Sequence, residues 1–295
     1  MPRNLWKMYI GLTKLDMTVL RTIERGMTRY EYVPLEYIER RLRGTPRKII
    51  SSIDKLNQMK LIRRRLGSTV GYTLTYWGLD ILSLNNLVQR GVIKVLGDRI
   101  GVGKEGNIYI AEDASGGLVI VKFHREGRRS FQKIKRYRGM VANLPRKSWF
   151  QIARLLGERE FKILVALREH DVLVPEPIAW NRNSVVQEYI PGIELFKVRE
   201  LSRNEAEKIL NMIIETLRIA YKKVGIVHGD LSEYNVLISE DLVPYIIDWP
   251  QYVYKEEEMA DELLRRDVTY ILSFFKRKYG VERDPEKTLS YIRGE

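Results

Sequence analysis

Apolar positions recur at helical spacing three times near the beginning of the chain. The three predicted helices span residues 15–27, 34–42 and 46–59. Apolar and polar residues then alternate in residues 61–65 and 72–76, a pattern that predicts a β-hairpin. Three helices followed by a hairpin are typical of a winged-helix domain, for which we set the bounds 1–77. A further helix within 78–92 would connect this domain to the rest of the chain.

The third predicted helix carries side chains that could contact nucleic acid. It would begin with Thr45 as N-cap and Pro46 in the first helical position. One face would bury Ile49, Ile53 and Leu56, and the other would expose Arg47, Lys48, Ser51, Ser52 and Lys55. Together with arginines of the first strand, the predicted nucleic-acid contacts are Arg47, Lys48, Ser51, Lys55, Arg63, Arg64 and Arg65.

From residue 93 onward, two predicted strands flank a glycine-rich turn. The turn consists of Gly101, Val102, Gly103, Lys104, Glu105 and Gly106. Glycine lets backbone N–H groups approach phosphate, so the turn is predicted to cover a nucleotide. The apolar strand over 118–123 then contains Lys122 in its interior. Because a buried lysine needs an anionic partner, Lys122 is predicted to bind nucleotide phosphates and a glutamate of a nearby helix.

The predicted partner of Lys122 lies on the next helix, over residues 149–167. This helix contains Glu158 and Glu160, and Glu160 is the preferred partner because an apolar residue follows it directly. Farther on, the apolar strand around 185–190 breaks at a Pro-Gly pair, as a hinge between two lobes would. At this hinge, backbone groups of residues 188 and 190 would bind an adenine. The predicted adenine contacts are Glu188 and Ile190.

Most of the predicted chemistry lies between residues 227 and 248. A polar loop after a short apolar strand holds Asp230 and Asn235, and a second apolar run ends in Asp248. Two carboxylates and one amide are thereby held at the ends of short buried strands. Phosphotransferases use this arrangement to hold magnesium and to orient an acceptor hydroxyl.

Long helices are predicted on both sides of this stretch, over 201–224 and 256–278. After the second helix we expect no room for the helices that cradle a peptide substrate in larger kinases. The predicted fold is therefore α+β, a winged-helix domain followed by a trimmed, two-lobed protein-kinase-like domain. Its predicted bounds are 93–295, with an N-lobe over 93–188, a hinge over 188–192 and a C-lobe over 193–295.

The net charge of +13 is unevenly distributed. Residues 1–90 hold 17 Lys and Arg against 7 Asp and Glu, whereas the remainder holds 34 against 31. Within the remainder, residues 122–147 hold ten basic side chains and one acidic, and we expect a mobile basic loop over 125–148. Two basic regions on a nearly neutral body indicate a polyanionic partner, which we expect to be nucleic acid.

Composition excludes several other functions. The chain has no cysteine, which rules out disulfides and cysteine-based metal or redox chemistry. No apolar run reaches the length of a membrane span, and the first residues lack the apolar core of a signal peptide. We therefore expect a cytoplasmic protein with no membrane partner.

Three motifs resemble those of the RIO family of atypical serine protein kinases, in the branch with an N-terminal winged helix. They are Gly101-Val102-Gly103-Lys104-Glu105, His228-Gly229-Asp230-Leu231-Ser232-Glu233-Tyr234-Asn235 and Asp248-Trp249-Pro250-Gln251. The resemblance covers nearly the whole chain. The sequence departs from the family at Gly106, where relatives often carry a serine that contacts phosphate, and at Trp249, where Phe is usual.

The resemblance implies an ATP-dependent serine kinase or ATPase that phosphorylates itself and acts in maturation of the small ribosomal subunit. Asp230 would be the catalytic base, Lys122 the phosphate-pairing lysine, and Asn235 and Asp248 the metal ligands. Asp248 would also be able to accept phosphate itself. The implied cofactors are ATP with Mg²⁺, or with Mn²⁺ in its place. The implied partners are the small-subunit precursor and its RNA, with a ribosomal protein or the chain itself as substrate.

Two other functions remain compatible with parts of the sequence. Small-molecule kinases of the aminoglycoside or choline type also show His-Gly-Asp-Leu and Ile-Asp-Trp, both present here. A winged-helix regulator with a nucleotide-sensing kinase body would explain the basic N-terminal region. The winged helix argues against the first alternative. The retention of all four polar groups, Lys122, Asp230, Asn235 and Asp248, argues against the second.

Overall fold

The computed structural model describes residues 4–67, 69–103, 106–125 and 149–295. Contacts divide the chain into two units. The first comprises the described part of Met1–Glu158 with Ala179–Val186, and the second comprises Arg159–Ile178 with Gln187–Glu295. Both helices and strands occur in each unit, as the α+β prediction requires. None of the described helices combines the length and apolar character that a membrane span needs.

Four helices begin the first unit. They are α1 (Leu5–Ile10), α2 (Lys14–Gly26), α3 (Leu35–Arg41) and α4 (Pro46–Gln58). The last three confirm the predicted helices, and α1 was not predicted. A reciprocal capping box fixes the start of α2, because Thr13 accepts from the Asp16 N–H and the Asp16 carboxylate accepts from the Thr13 N–H. This pair supplies partners to N–H groups that have none within the helix.

The faces of α4 agree with the sequence except at its start and at Ser52. Ile49, Ile53 and Leu56 are buried, as predicted. Thr45 precedes the helix, but its side chain makes no capping hydrogen bond, so the proline that follows marks the helix start. Ser52 was expected on the exposed face and is instead buried, since its hydroxyl donates to the Asp16 carboxylate at 2.5 Å.

A small antiparallel sheet completes the winged helix. Its strands are β1 (Val33–Pro34), β2 (Ile62–Arg65) and β3 (Gly71–Leu74), in the order β1-β3-β2. The prediction had two strands and extended the last one to residue 76. That strand ends earlier because the Thr75 side chain accepts from the Gly78 N–H and so caps the next helix, α5 (Tyr76–Gln89). The predicted connecting helix is thus confirmed and begins two residues earlier.

A five-stranded sheet follows α5. Its strands are β4 (Val95–Gly103), β5 (Gly106–Glu112), β6 (Leu118–His124), β7 (Pro177–Asn181) and β8 (Ser184–Glu188), in the order β4-β5-β6-β8-β7. The pairs β4–β5 and β5–β6 are antiparallel. Between β6 and β7 the structure describes α6 (Trp149–Arg168), which spans the boundary between the two units. The predicted mobile loop over 125–148 lies almost wholly outside the described residues, as do Lys104 and Glu105.

The second unit contains helices around short antiparallel strands. Its elements before the long C-terminal helix are β9 (Gly192–Glu194), a 3₁₀ turn (Leu195–Lys197), α7 (Arg203–Ile219), a π-helical turn (Ala220–Val224), β10 (Ile226–Val227), β11 (Val236–Ser239), β12 (Pro244–Ile246) and β13 (Val253–Tyr254). One sheet has the order β12-β11-β9, and β10 pairs with β13. Gly225 ends the π-helical turn with a φ of +77°, a conformation in which glycine is least strained, and the chain then enters β10.

Two helices end the chain. The first, α8 (Ala260–Tyr279), begins four residues after the predicted start at 256. The second, α9 (Pro285–Arg293), was not predicted. Asp284 caps α9 through the Lys287 N–H, and Pro285 occupies its first position. This Asp-Pro signal was visible in the sequence.

Candidate active site

The loop between β10 and β11 contains Asp230 and Asn235 and begins with a sharp bend at Gly229. Gly229 has a φ of +77°, and a Cβ atom there would lie 2.9 Å from the carbonyl oxygen of Gln251. A side chain is therefore excluded by both backbone conformation and space. The glycine brings the loop close to the segment that follows Asp248.

His228 connects the two ends of this loop. Its Nδ1 accepts a hydrogen bond from the Asp230 N–H at 3.2 Å, and its Nε2 lies 3.0 Å from the carbonyl oxygen of Ile247. Because Nδ1 accepts, Nε2 is the ring nitrogen that donates to the Ile247 carbonyl oxygen. The ring also lies 4.6 Å from that of Trp249. His228 thus holds Asp230 and the Asp248 segment together.

A buried carboxylate in α8 anchors the same loop. Asp267, only 1% exposed, accepts from the Gly229 N–H at 2.7 Å, and Arg266 donates to the Gly229 carbonyl oxygen. Burial raises the pKa of Asp267, and the Arg266 guanidinium and the Gly229 N–H oppose that rise. Asp267 was not among the site residues predicted from the sequence. An aspartate on the apolar face of a predicted helix was the available signal.

Asp230 and Asn235 are joined directly. The Asn235 side-chain amide donates to the Asp230 carbonyl oxygen at 2.8 Å, and the Asn235 N–H donates to the Ser232 carbonyl oxygen at 2.9 Å. Both Asp230 and Asn235 are half-buried. The loop is therefore closed by its own polar groups, and its two predicted functional side chains have fixed backbone positions.

The β11–β12 hairpin brings Asp248 to the same end as Asn235. Val236 pairs with Ile246, and one step beyond the hairpin the Ile247 N–H donates to the Asn235 carbonyl oxygen at 2.9 Å. Asp248, with a φ of +69°, follows directly. This left-handed conformation costs a non-glycine residue roughly 1–2 kcal/mol, so the surrounding contacts must hold it. The structure thus brings Asp230, Asn235 and Asp248 together in one unit.

Trp249 provides a rigid base for Asp248. Its side chain is fully buried, and its indole N–H donates to the Ile246 carbonyl oxygen at 2.9 Å. The Tyr252 N–H donates to the Trp249 carbonyl oxygen at 3.1 Å and closes a turn after Asp248. The large indole replaces the usual Phe and fills a buried position beside His228.

Lys122 lies in the interior of β6 in the first unit. It is 7% exposed, pairs in register with Ile108, and is flanked by the fully buried Val121 and Phe123. Of the predicted glycine-rich turn, Gly101, Val102 and Gly103 lie at the end of β4 and Gly106 begins β5, where it pairs with Gly103. A Cβ atom at Gly106 would overlap the Phe123 carbonyl oxygen. The family's serine therefore has no space at this position with the present backbone.

Burial distinguishes the two glutamates of α6. Glu160 is 1% exposed, whereas Glu158 is half-buried, so Glu160 has the environment expected of an ion-pair partner. Its pairing with Lys122 stays a prediction. At the predicted hinge, the Glu188 N–H donates to the Glu176 carbonyl oxygen at 2.9 Å, which leaves the carbonyl group of Glu188 as its candidate adenine contact. The contact of Ile190 likewise stays a prediction.

The predicted nucleic-acid residues do not share one environment. Arg47, Lys48, Ser51 and the three arginines of β2, Arg63, Arg64 and Arg65, are exposed. Lys55 is instead held by α2, since its ammonium donates to the Asp16 carboxylate at 2.7 Å and to the Gly11 carbonyl oxygen at 2.9 Å. The Lys55 ammonium therefore has an acidic partner within the domain, and its contact with nucleic acid stays a prediction. Helical periodicity predicted the face of α4 on which Lys55 lies, but not that its long side chain reaches Asp16 at the start of α2.

The described residues include a loop anchored by Asp267, a hairpin that leads to Asp248 and a strand that contains Lys122. These elements are the parts of a protein-kinase-like phosphotransferase. Comparison with known proteins agrees. The family model described as the RIO domain matches residues 107–288, and the model described as the N-terminal domain of Rio2 matches residues 9–90.

Similar proteins cover most of the chain. The RIO-type serine/threonine-protein kinase Rio2 of Methanocaldococcus jannaschii is 38% identical over 264 residues, 88% of this chain and 96% of that protein. The serine/threonine-protein kinase rio2 of Dictyostelium discoideum is 34% identical over 91% of this chain, which spans 51% of that longer protein. A crystal structure of the Rio2 kinase-ADP/Mg²⁺-phosphoaspartate complex from Chaetomium thermophilum matches with a TM-score of 0.81 and 32% identity, over 98% of this chain and 89% of that one.

The chain belongs to the RIO family of serine/threonine-protein kinases, in its Rio2 branch with an N-terminal winged helix. The family resemblance noted in the sequence is confirmed. The three relatives are all named as kinases of this family, which favours neither a small-molecule kinase nor a non-enzymatic regulator. The bounds that we set for the domains stay a prediction.

Proposed function

We propose that this protein transfers the γ-phosphoryl group of ATP to Asp248 in a Mg²⁺-dependent reaction. Water would later hydrolyse the resulting acyl phosphate and release inorganic phosphate. The observation that supports this proposal is the hydrogen bonding of Asn235 to Asp230 and of Ile247 to Asn235, which joins the backbone segments of Asp230, Asn235 and Asp248 at one end of a hairpin. The family membership and the Rio2 complex with ADP and Mg²⁺ support it.

The donor set fits magnesium bound together with a nucleotide. Among the residues that the structure describes, no group of three or more His, Cys, Asp or Glu side chains could hold a metal ion alone. Mg²⁺ is usually held by one or two carboxylates together with substrate phosphates, and it prefers oxygen ligands. Asn235 and Asp248 would supply such ligands, and the bound ion would offset the charge of the phosphates. Mn²⁺ accepts the same ligands and could replace it.

Each of the chain's own groups has a defined part in the transfer. Asp230 would orient the attacking hydroxyl or water and accept its proton. Lys122 would pair with the phosphates, and Glu160 would hold the Lys122 ammonium in place. Phosphoryl transfer depends mainly on positioning and charge. Such a site therefore requires a fixed backbone, as the hydrogen bonds around Asp230 and Asp248 provide.

The phosphoaspartate in the Rio2 complex of Chaetomium thermophilum supports an aspartate as acceptor, and we assign that role to Asp248. A carboxylate oxygen of Asp248 would attack the γ-phosphorus, and ADP would leave with the bridging oxygen. Water would then attack the acyl phosphate, regenerate the carboxylate and release inorganic phosphate. This cycle is an ATPase. The transfer of phosphate to a serine of the chain or of a ribosomal protein would be its kinase counterpart.

The test of this function uses γ-labelled ATP, magnesium and the purified chain without added substrate. Wild-type protein should acquire covalent label and release labelled phosphate. Lys122→Met should do neither, and Asp230→Ala should release phosphate more slowly, because the attacking water loses its proton acceptor. Asp241→Ala removes an exposed carboxylate from the turn after β11 and is the matched control, expected to behave as wild type. Wild-type protein that neither binds label nor releases phosphate would contradict the proposal.

We further propose that the winged helix binds RNA of the small-subunit precursor in the cytoplasm. The exposed cations of α4 and β2 support this, because cations that face water can replace the counterions of a phosphate backbone. Replacing Arg63, Arg64 and Arg65 by Ala should weaken binding to small-subunit RNA and reduce its salt dependence. Replacing three exposed cations of the second unit, Lys222, Lys223 and Arg277, is the charge-matched control. Equal losses in both triple variants would contradict a winged-helix interface.

A further inference from the structure

The segment after Asp248 is held at both of its ends. On one side, the Tyr252 N–H closes the turn onto the Trp249 carbonyl oxygen at 3.1 Å. On the other, Val253 pairs with Val227 in the β10–β13 ladder, directly before the catalytic loop. The carbonyl group of Tyr252 lies between these two attachments, and neither of them uses it.

Arg159 of α6 binds that carbonyl group. Its guanidinium donates to the Tyr252 carbonyl oxygen at 2.8 Å, and its Cζ lies 4.0 Å from the centre of the Tyr252 ring. Both side chains are buried, Arg159 with 8% and Tyr252 with 6% of their surface exposed. One planar group therefore makes a charge-assisted hydrogen bond and a stacking contact with the same residue, away from water.

Burial also indicates a dry environment around this contact. It raises the pKa of Tyr252 to about 12, with the neighbouring Tyr254 hydroxyl adding to the rise. In such surroundings an ionic contact is screened less than at the surface. The link between α6 and the Asp248 turn is therefore a persistent one, and it lies wholly within the second unit.

Arg159 directly precedes Glu160, the predicted partner of the phosphate-binding lysine. We propose that Arg159 is a positioning residue for Asp248, because it attaches the turn after Asp248 to α6. The position of Asp248 relative to the helix that carries Glu160 is thereby fixed. The inference rests on the proposed function of Asp248. No atom of Arg159 has to touch the nucleotide.

The chemistry of this contact requires arginine. A guanidinium can lie flat on a tyrosine ring and still donate in its own plane to a carbonyl oxygen, whereas an ammonium cannot satisfy both contacts with one fixed geometry. Arg159→Lys should consequently restore part of the function that Arg159→Met loses. A contribution from packing alone would instead be preserved by Met, which fills a similar volume.

The test compares four variants with wild type. Arg159→Met and Arg159→Lys change the proposed link. Tyr252→Phe keeps the ring and the carbonyl oxygen and loses only the hydroxyl. Arg218→Met is the matched control, because Arg218 is an arginine of the same unit that also lies over a tyrosine ring, Tyr291 at 4.9 Å.

Two readouts distinguish a positioning role from a structural one. The first is the steady-state release of phosphate from ATP, where Arg159→Met should lower kcat about 10- to 100-fold, with the KM for ATP unchanged. Arg159→Lys should fall between Arg159→Met and wild type, and both controls should match wild type. The second is hydrogen exchange across residues 249–254, which should accelerate in Arg159→Met and in neither control.

The possible outcomes separate this inference from the proposed function. An active wild type with an equally active Arg159→Met, or an equal loss in Arg218→Met, overturns the inference and leaves the proposed function standing. An inactive wild type overturns the proposed function, and hydrogen exchange then decides whether Arg159 holds the turn. If Arg159→Met does not fold, Arg159→Lys is judged by the same criteria.

Discussion

A buried ion pair in the first unit offers a quantitative test of how α5 is attached to the lysine-bearing strand. Asp80 of α5 is fully buried, and its carboxylate accepts from Arg125, one residue beyond β6, at 2.5 Å. The other carboxylate oxygen accepts from the Asn183 side chain at 2.8 Å. Burial raises the pKa of Asp80, and the positive charge of Arg125 opposes that rise.

Replacing Arg125 by Met would leave the Asp80 carboxylate buried without its counter-charge. The loss of one partner from a buried pair typically costs about 3–5 kcal/mol of unfolding free energy. The Arg125 side chain is 22% exposed, so we expect the lower part of that range. In the variant the folded-state pKa of Asp80 rises further above its unfolded value. The folded state then binds the proton more tightly, and the penalty grows as the pH rises.

The assay is urea unfolding followed by circular dichroism at about pH 5 and about pH 8, since the penalty should be larger at the higher pH. The double variant Asp80→Asn with Arg125→Met should recover more than half of the loss, because the amide oxygen can still accept from Asn183. Lys94→Met breaks the exposed pair with Glu112, 3.1 Å apart, and should change stability little. A single variant as stable as Lys94→Met, or a double variant no better than the single one, would refute the reasoning.

Three further predictions follow from individual contacts. Burial raises the pKa of Asp16, but hydrogen bonds, chiefly from Lys55, lower it more, so Asp16→Asn should destabilise the fold by about 1–3 kcal/mol. That difference, measured by urea unfolding, should be complete above the ordinary carboxyl pKa and vanish as the pH falls through the lower folded-state value. Gly106→Ser should lower the melting temperature and weaken ATP binding in calorimetry, because the new Cβ overlaps the Phe123 carbonyl oxygen. Asp267→Ala should lower kcat about 10- to 100-fold with little change in the KM for ATP, because the Gly229 N–H loses its acceptor.

The elements that could be predicted from sequence are those with a local signal. Periodicity located α2, α3 and α4, and the short apolar runs around Asp230 and Asp248 located the hairpin that brings them together. These features depend on residues close to one another in the chain. Asp230 and Asn235 could be assigned to one loop for the same reason, because only four residues separate them in the chain.

The features that could not be predicted depend on side chains that meet across long sequence separations. Asp267 reaches Gly229 from a helix 38 residues away, and Lys55 reaches Asp16 across 39 residues. Helical periodicity places each residue on a face but does not state which partner that face meets. The missed α9 is a different case, because its Asp284-Pro285 signal was local and went unused.

The central claim, phosphoryl transfer through Asp248, is tested most directly by locating the phosphate. Wild-type protein would be incubated with ATP and magnesium, quenched, and reduced with borohydride, which converts an aspartyl phosphate to homoserine. Mass spectrometry of the peptide around residue 248 should then show homoserine at that position, and omission of ATP or the change Asp248→Asn should abolish it. Phosphate found only on serine would contradict the account. An Asp248→Asn variant that still releases phosphate at the wild-type rate would also contradict it.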